Sequence, residues 1–419
     1  MKKIITIATG TEILLGQTVD VDFSLIARGL AREGLFVTRH YVVGDDLVEL
    51  KKVFLESLAQ ADVVILTGGL GPTTDDLTRE MASDVLSLPL RMNEAVLDDI
   101  ARKFESRGLE IPECAKLQAL VLEGAEVITN GVGTAPGMYL NISKNHIFLL
   151  PGPPFEMQPM FEKDVLPRMK NLLEQKRFCV TTFKTFGIRE SSVQEMIKKE
   201  FQAESNFLLG IGYCSSPEGV DVRISCSEDV WPSIRSLARR LEGVLEPWIF
   251  GKDEETLHEV VANLLMKQKK TLSIAESCTG GLICERLTRI PGISEVFKLG
   301  IVAYSNESKM NLLDIRSEDL SSHGAVSEVV ALRMAEMIRR QGGTELGLAV
   351  TGIAGPGGSS SDKPVGLVWI AIHDGRKEWV RSFRFLGPRN VIQIKSAQAS
   401  LDLVRRVLVG KRFASEEVS

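Results

Sequence analysis

No apolar run in this chain is long enough to span a membrane or to serve as the core of a secretory signal. Ile4 to Ala8 is broken by Thr6 and ends at Gly10, so the sequence predicts a cytoplasmic protein without a membrane partner. The six cysteines (Cys114, Cys179, Cys214, Cys226, Cys278, Cys284) include no Cys-x-x-Cys pair, which argues against a disulfide framework or a zinc site. A basic excess is also missing. With a net charge of −5 and a pI near 5.8, no direct nucleic-acid partner is expected. Histidine is scarce as well, at five residues. In the last third, His258, His323 and His373 fall in a helix, a loop and a turn with no shared motif, so a Ser-His-Asp triad is not the obvious reading. Repeats of about 20 to 50 residues and low-complexity segments are absent too.

What is present is a chain of 419 residues, too long for one core, with α/β patterning at both ends. We divide it into domains 1–170, 171–250 and 252–413. In the first, buried strand patterns (Ile4 to Ala8, Phe36 to Val43, Val63 to Leu66) alternate with helical ones. That order implies a mostly parallel sheet with both faces covered, whose ligands bind beyond the carboxyl ends of the strands. The loop after the third strand lies at such an end. Its Gly68, Gly69 and Gly71 permit close approach to a ligand, Thr73 and Thr74 add hydroxyls, and Asp75 and Asp76 suit a hard divalent cation. A glycine-rich turn with an Asp capping the next helix would look the same.

The middle segment reads β-α-β-β-α-β, the ferredoxin-like order, with Phe207 and Tyr213 as core or interface residues and no catalytic spacing. In the last domain, the strand Thr271 to Ile274 leads into Ala275-Glu-Ser-Cys-Thr-Gly-Gly281 and then a helix. Such a turn presents small polar side chains and free backbone N–H groups, with Ser277 and Cys278 as adjacent nucleophile candidates. An ordinary capping turn has this composition too. Lys309 follows Tyr304 by five residues, so one strand-to-helix corner can aim both at the Ser277 turn, and burial would bring the lysine towards the pKa of a base. The alternatives are a solvated helix-start lysine and a core aromatic.

Three motifs in the first domain, Gly10-Thr-Glu-Ile-Leu-Leu-Gly16, Gly68-Gly-Leu-Gly-Pro-Thr-Thr-Asp-Asp76 and Pro151-Gly-Pro-Pro154, resemble the molybdopterin-binding fold. Ala275-Glu-Ser-Cys-Thr-Gly-Gly281, Tyr304-Ser-Asn-Glu-Ser-Lys309 and Thr351-Gly-Ile-Ala-Gly-Pro356 are similar to the motifs of nicotinamide mononucleotide deamidases. Together the chain resembles the CinA family over nearly its whole length. The resemblance implies a molybdopterin-binding-like parallel α/β sandwich, a ferredoxin-like α+β connector and an α/β deamidase domain. It further implies that Ser277 is the nucleophile, Lys309 its base and Tyr304 an orienting partner in hydrolysing nicotinamide mononucleotide, without a cofactor. Glu276, Thr279, Gly280, Gly281, Thr351, Gly352 and Gly355 would bind substrate. For the first domain it implies hydrolysis of ADP-ribose to AMP and ribose 5-phosphate. Glu12, Gly68, Gly69, Gly71, Thr73 and Thr74 would hold the nucleotide, and Asp75 and Asp76 a Mg, Mn or Co ion. A homodimer is also implied. Asp22 stands where the family pattern has Asn, and its extra carboxylate disfavours a nearby phosphate. The alternative reading is a nucleotide- or pterin-binding regulatory protein with an inactive first domain.

Overall fold

The computed structural model describes residues 2–172, 178–204 and 210–411, so Phe207 and the tail beyond Lys411 lie outside the described residues. The chain forms two compact units. One runs to Cys179 and takes in Ser227–Asp229, and the other comprises the rest of the described chain.

In the first unit the strands β1 (Ile4–Thr9), β2 (Val37–Val43) and β3 (Val63–Thr67) precede a short pair, β4 (Leu90–Met92) and β5 (Leu120–Leu122). They are followed by β6 (Glu126–Ile128), β7 (Gly137–Ile142) and β8 (Asn145–Leu150). The main sheet has the order β2-β1-β3-β8-β7-β6, parallel from β2 to β8 and antiparallel at β7 and β6. Alternation builds both faces. Ile5, Ile7, Val64 and Leu66 pack with Phe54 and Met81, whereas Ile4, Val63 and Ile65 pack with Ile26, Leu30 and Phe148. From β1 the chain goes to β2 on one side and returns to β3 on the other. Parallel crossovers share one hand, so the covering helices lie on opposite faces and a crevice opens beyond β1 and β3.

The second unit opens with β9 (Phe178–Thr185), the helix Glu190–Glu200, β10 (Ile211–Ser216), β11 (Gly219–Ser227), the helix Trp231–Leu245 and β12 (Ile249–Lys252). Its sheet order, β10-β11-β9-β12, is that of the ferredoxin-like fold expected from the sequence. Tyr213 is partly buried against this module's core.

The unit's other sheet contains β13 (Leu272–Glu276), β14 (Phe297–Val302), β15 (Leu346–Gly352), β16 (Leu367–His373) and β17 (Glu378–Arg384) in the order β14-β13-β15-β16-β17. The first three are parallel and the last two antiparallel. Leu272 and Ile274 point into one core, beneath the helices Leu257–Gln268 and Arg389–Val409. On the opposite face the small residues Ala275, Ala349 and Ala371 let the helix Glu328–Gly342 sit close. Here too β13 is flanked by the strands that follow it, one on each side, and the crevice opens at its carboxyl end. No helix among the described residues is long and apolar enough to cross a membrane.

Candidate active sites

Strand β13 runs two residues further than the sequence suggests and ends at Glu276. There the carboxylate, fully buried, accepts from the amides of Gly281 (3.0 Å), Ile283 (3.2 Å) and Cys284 (2.8 Å). Glu276 therefore caps the helix Leu282–Thr288 from the strand and fixes the turn, which occupies both of its oxygens. Gly281, with φ of 99°, makes the reversal that this closure needs.

Ser277 is held in the turn by its amide, which donates to Val350 O at 3.0 Å. Lys309, 2% exposed, reaches it from the helix Asn306–Leu313, with Nζ 3.0 Å from Ser277 Oγ. The same nitrogen donates to Ala303 O at 2.9 Å and to Tyr304 O at 3.5 Å. Burial lowers the Lys309 pKa from its usual value. A neutral amine has two N–H donors, which the two carbonyls accept, and one lone pair, which then faces the serine hydroxyl. The pair is thus oriented by backbone carbonyls. The phenol of Tyr304 lies away from it, 57% of the residue exposed, and accepts from Arg389 Nη2.

Cys278 is buried, and desolvation pushes its thiol up to about 12, so it is a thiol rather than a thiolate at neutral pH. Within the turn the Gly280 amide donates to Ser277 O, whereas the amides of Cys278 and Thr279 make no hydrogen bond to another residue. Those two are the donors left for a developing oxyanion. The Thr279 hydroxyl, buried, also has no partner. Thr351 spends its hydroxyl on Ala325 O at 2.8 Å. Gly352 ends β15, where an added Cβ would meet Val368 and Leu367. Gly355 O accepts from Arg389 Nη1 at 2.7 Å. Arg389 therefore ties the third motif to Tyr304, and Gln393, one turn further on, donates to Cys278 O at 2.8 Å. Sequence reasoning missed both, because the buried residues of their helix account for its pattern without them.

In the first unit a cavity of about 680 Å³ opens at the crevice beyond β1 and β3. It gathers Glu12, Gly68, Gly69, Gly71, Asp75 and Asp76 from the predicted set, together with the Pro151–Pro154 loop. Thr73 and Thr74 do not line it. Gly68, at φ 98°, passes so near Thr9 that a Cβ would sit 2.5 Å from its carbonyl oxygen. Asp76 is occupied by its own loop, accepting from the amides of Gly71 and Thr73 at 2.8 Å each. Asp75 is exposed, and the Thr73 hydroxyl holds its carboxyl below the usual range. Among the described residues no three His, Cys, Asp or Glu side chains converge to hold a metal ion. A cation shared between Asp75 and ligand phosphates fits this lining, and a caged resident ion does not. Asp20, Asp22, Asp45, Gln118 and Glu156 also line the cavity, and apart from Asp22 the sequence did not single them out.

Residues 5–171 match the family described as "Probable molybdopterin binding domain", and residues 254–408 match "CinA C-terminal domain". A competence-damage inducible protein of Caldicellulosiruptor bescii is 42% identical over 96% of this chain and 98% of its own length. A CinA-like protein of Kosmotoga olearia is 39% identical over 96% of this chain and 98% of its own length. A crystal structure of a CinA superfamily protein from Klebsiella pneumoniae shares 30% identity, covers 37% of this chain and 99% of that one, and has a TM-score of 0.36. Since relatives align with almost the whole chain at such identity, the protein belongs to the CinA family.

Proposed function

We propose that the second unit hydrolyses the carboxamide of nicotinamide mononucleotide, releasing ammonia and nicotinate mononucleotide. The observation that carries this reading is the buried contact of 3.0 Å between Lys309 Nζ and Ser277 Oγ. A binding module needs neither a nucleophile nor a base poised on it. Lys309 takes the hydroxyl proton as Ser277 Oγ attacks the amide carbon, and the amides of Cys278 and Thr279 receive the oxyanion. The proton returns to the departing nitrogen. Water, deprotonated by the same amine, then opens the acyl-enzyme. The test is incubation of the purified protein with nicotinamide mononucleotide, following both products by mass spectrometry. Turnover by the parent and none by Ser277→Ala supports the proposal; no turnover by the parent overturns it.

For the first unit the cavity, with its glycine loop beside the β1 turn, supports a nucleotide site, and we read it as the place where ADP-ribose is cleaved to AMP and ribose 5-phosphate. A divalent cation would neutralise the pyrophosphate there, with Asp75 as its protein ligand. One observation favours a second reading, in which this unit binds a nucleotide or pterin without turning it over. Asp76 is spent on its own loop, which leaves the cation with little protein support. ADP-ribose turnover assayed with magnesium separates the two.

A further inference from the structure

The cavity of the first unit is lined by carboxylates, among them Glu12, Asp20, Asp22, Asp45, Asp75 and Glu156, and by no lysine, arginine or histidine among the described residues. An anionic ligand entering it meets only neutral donors: backbone amides, hydroxyls and any carboxyl that carries a proton. Asp22, on the first turn of the helix Val21–Arg32, is placed to become such a group. It is 7% exposed, and its Oδ1 has no hydrogen-bond partner. Gln118, 4% exposed in the same lining, leaves its Oε1 without a partner as well. Polar groups at such depth that the protein leaves unpartnered are costly, and a ligand that bonds them recovers that cost.

The charges around Asp22 fix its state. From its own turn comes Asp20, which accepts from the Phe23 amide and pairs with His40 on β2, Nε2 to Oδ2 being 2.9 Å. Burial works to raise Asp20, but the adjacent His40 ring and the Phe23 amide outweigh it and hold the carboxyl below its usual range. The helix Pro154–Met160 presents Glu156, already bonded by Asn130 at 2.6 Å. The remaining neighbours in the lining, Glu12, Asp45, Asp75 and Asp76, are acidic too. Burial first, and the Asp20 charge second, push Asp22 up to about 7.

We infer that Asp22 is a proton-carrying hydrogen-bond donor of this site: a pyrophosphate diester binds with uptake of one solvent proton, which stays on the Asp22 carboxyl and is shared with a ligand oxygen. The inference rests on the reading of this cavity as a site for phosphorylated ligands. It turns the carboxylate that disfavours phosphate into a donor towards it, with an affinity that depends on pH.

The test is titration calorimetry of the full chain at about pH 8 with calcium in place of magnesium, under conditions in which mass spectrometry shows the probes uncleaved, in several buffers of different ionisation enthalpy, so that protons bound are counted. ADP-ribose and UDP-glucose serve as probes, since a pyrophosphate diester does not itself titrate in this range. The wild type takes up close to one proton, and its affinity weakens by up to about tenfold per pH unit above neutrality. Asp22→Asn, which keeps the size and offers a permanent donor, binds with no uptake and no pH dependence. An unchanged circular dichroism spectrum shows that the variant folds. Binding of ADP-ribose without uptake, or equal uptake by Asp22→Asn, overturns the inference and leaves the nucleotide site standing. UDP-glucose binding with Asp22-dependent uptake, while ADP-ribose fails to bind, supports it and removes the ADP-ribose reading. Binding of neither probe overturns both.

Discussion

Ser277 and Cys278 share one turn, and the structure separates them by environment. The thiol is buried and pushed up to about 12, while the hydroxyl has an amine at hydrogen-bond distance. Cys278→Ala therefore retains most nicotinamide mononucleotide hydrolysis in a steady-state ammonia assay, whereas Ser277→Ala falls to background; the reverse pattern would remove the serine mechanism. Lys309 adds a pH signature. Because burial lowers its pKa, the neutral amine that acts as base is gained as pH rises through that lowered value, so kcat/KM climbs and then levels off. Lys309→Arg stays protonated throughout, and its activity is lower by about 10²–10⁴-fold at every pH. Linkage gives the sign for stability. Between its lowered value and the ordinary 10.5, the folded Lys309 binds fewer protons than the unfolded one, so its contribution to stability rises with pH over that window.

At the scale of elements, the active turn depends on a strand end that caps the helix after it. Glu276→Gln replaces a carboxylate accepting three amides with a group that has one acceptor oxygen and an NH2 facing donors. The expected loss is about 1.5–3 kcal/mol, the range for hydrogen bonds to a charged group, read as a lower midpoint in urea unfolding. Deamidation should fall with it, because Ser277 is the next residue. The sequence made the turn legible, since a glycine pair after small polar residues between strand and helix patterns has few other uses. It did not make the role of Glu276 legible: its partners are backbone amides up to eight residues away, and only the closed turn brings them to the carboxylate. Arg389 and Gln393 escaped for a related reason. Their helix carries a buried stripe that explains its pattern, and nothing local says that its first turns reach Tyr304 and Cys278. The Gly68 loop was placed correctly at a strand end, yet Thr73 and Asp76 serve the loop itself, an assignment that depends on its three-dimensional path.

At the scale of the molecule, the chain uses one device twice: a parallel strand flanked by the strands that follow it, with glycine-rich turns at the resulting crevice. The chemistry at the two crevices differs because the side chains differ. One carries a buried amine on a hydroxyl, which on the proposed reading works without a cation, and the other is lined by carboxylates, so that an anionic ligand proposed for it would call for one. The two activities should therefore separate cleanly in one preparation. Treatment with EDTA brings ADP-ribose cleavage to background and leaves nicotinamide mononucleotide hydrolysis unchanged, and added magnesium restores the former. Ser277→Ala does the opposite, abolishing deamidation while magnesium-dependent ADP-ribose cleavage continues. Loss of deamidation in EDTA would mean that the lysine amine does not suffice as base, since no step assigned to Ser277 and Lys309 uses a metal. If ADP-ribose is bound but not cleaved with magnesium present, the first unit is a binding site whose Asp76 has been given to its loop, and catalysis belongs to the serine turn alone.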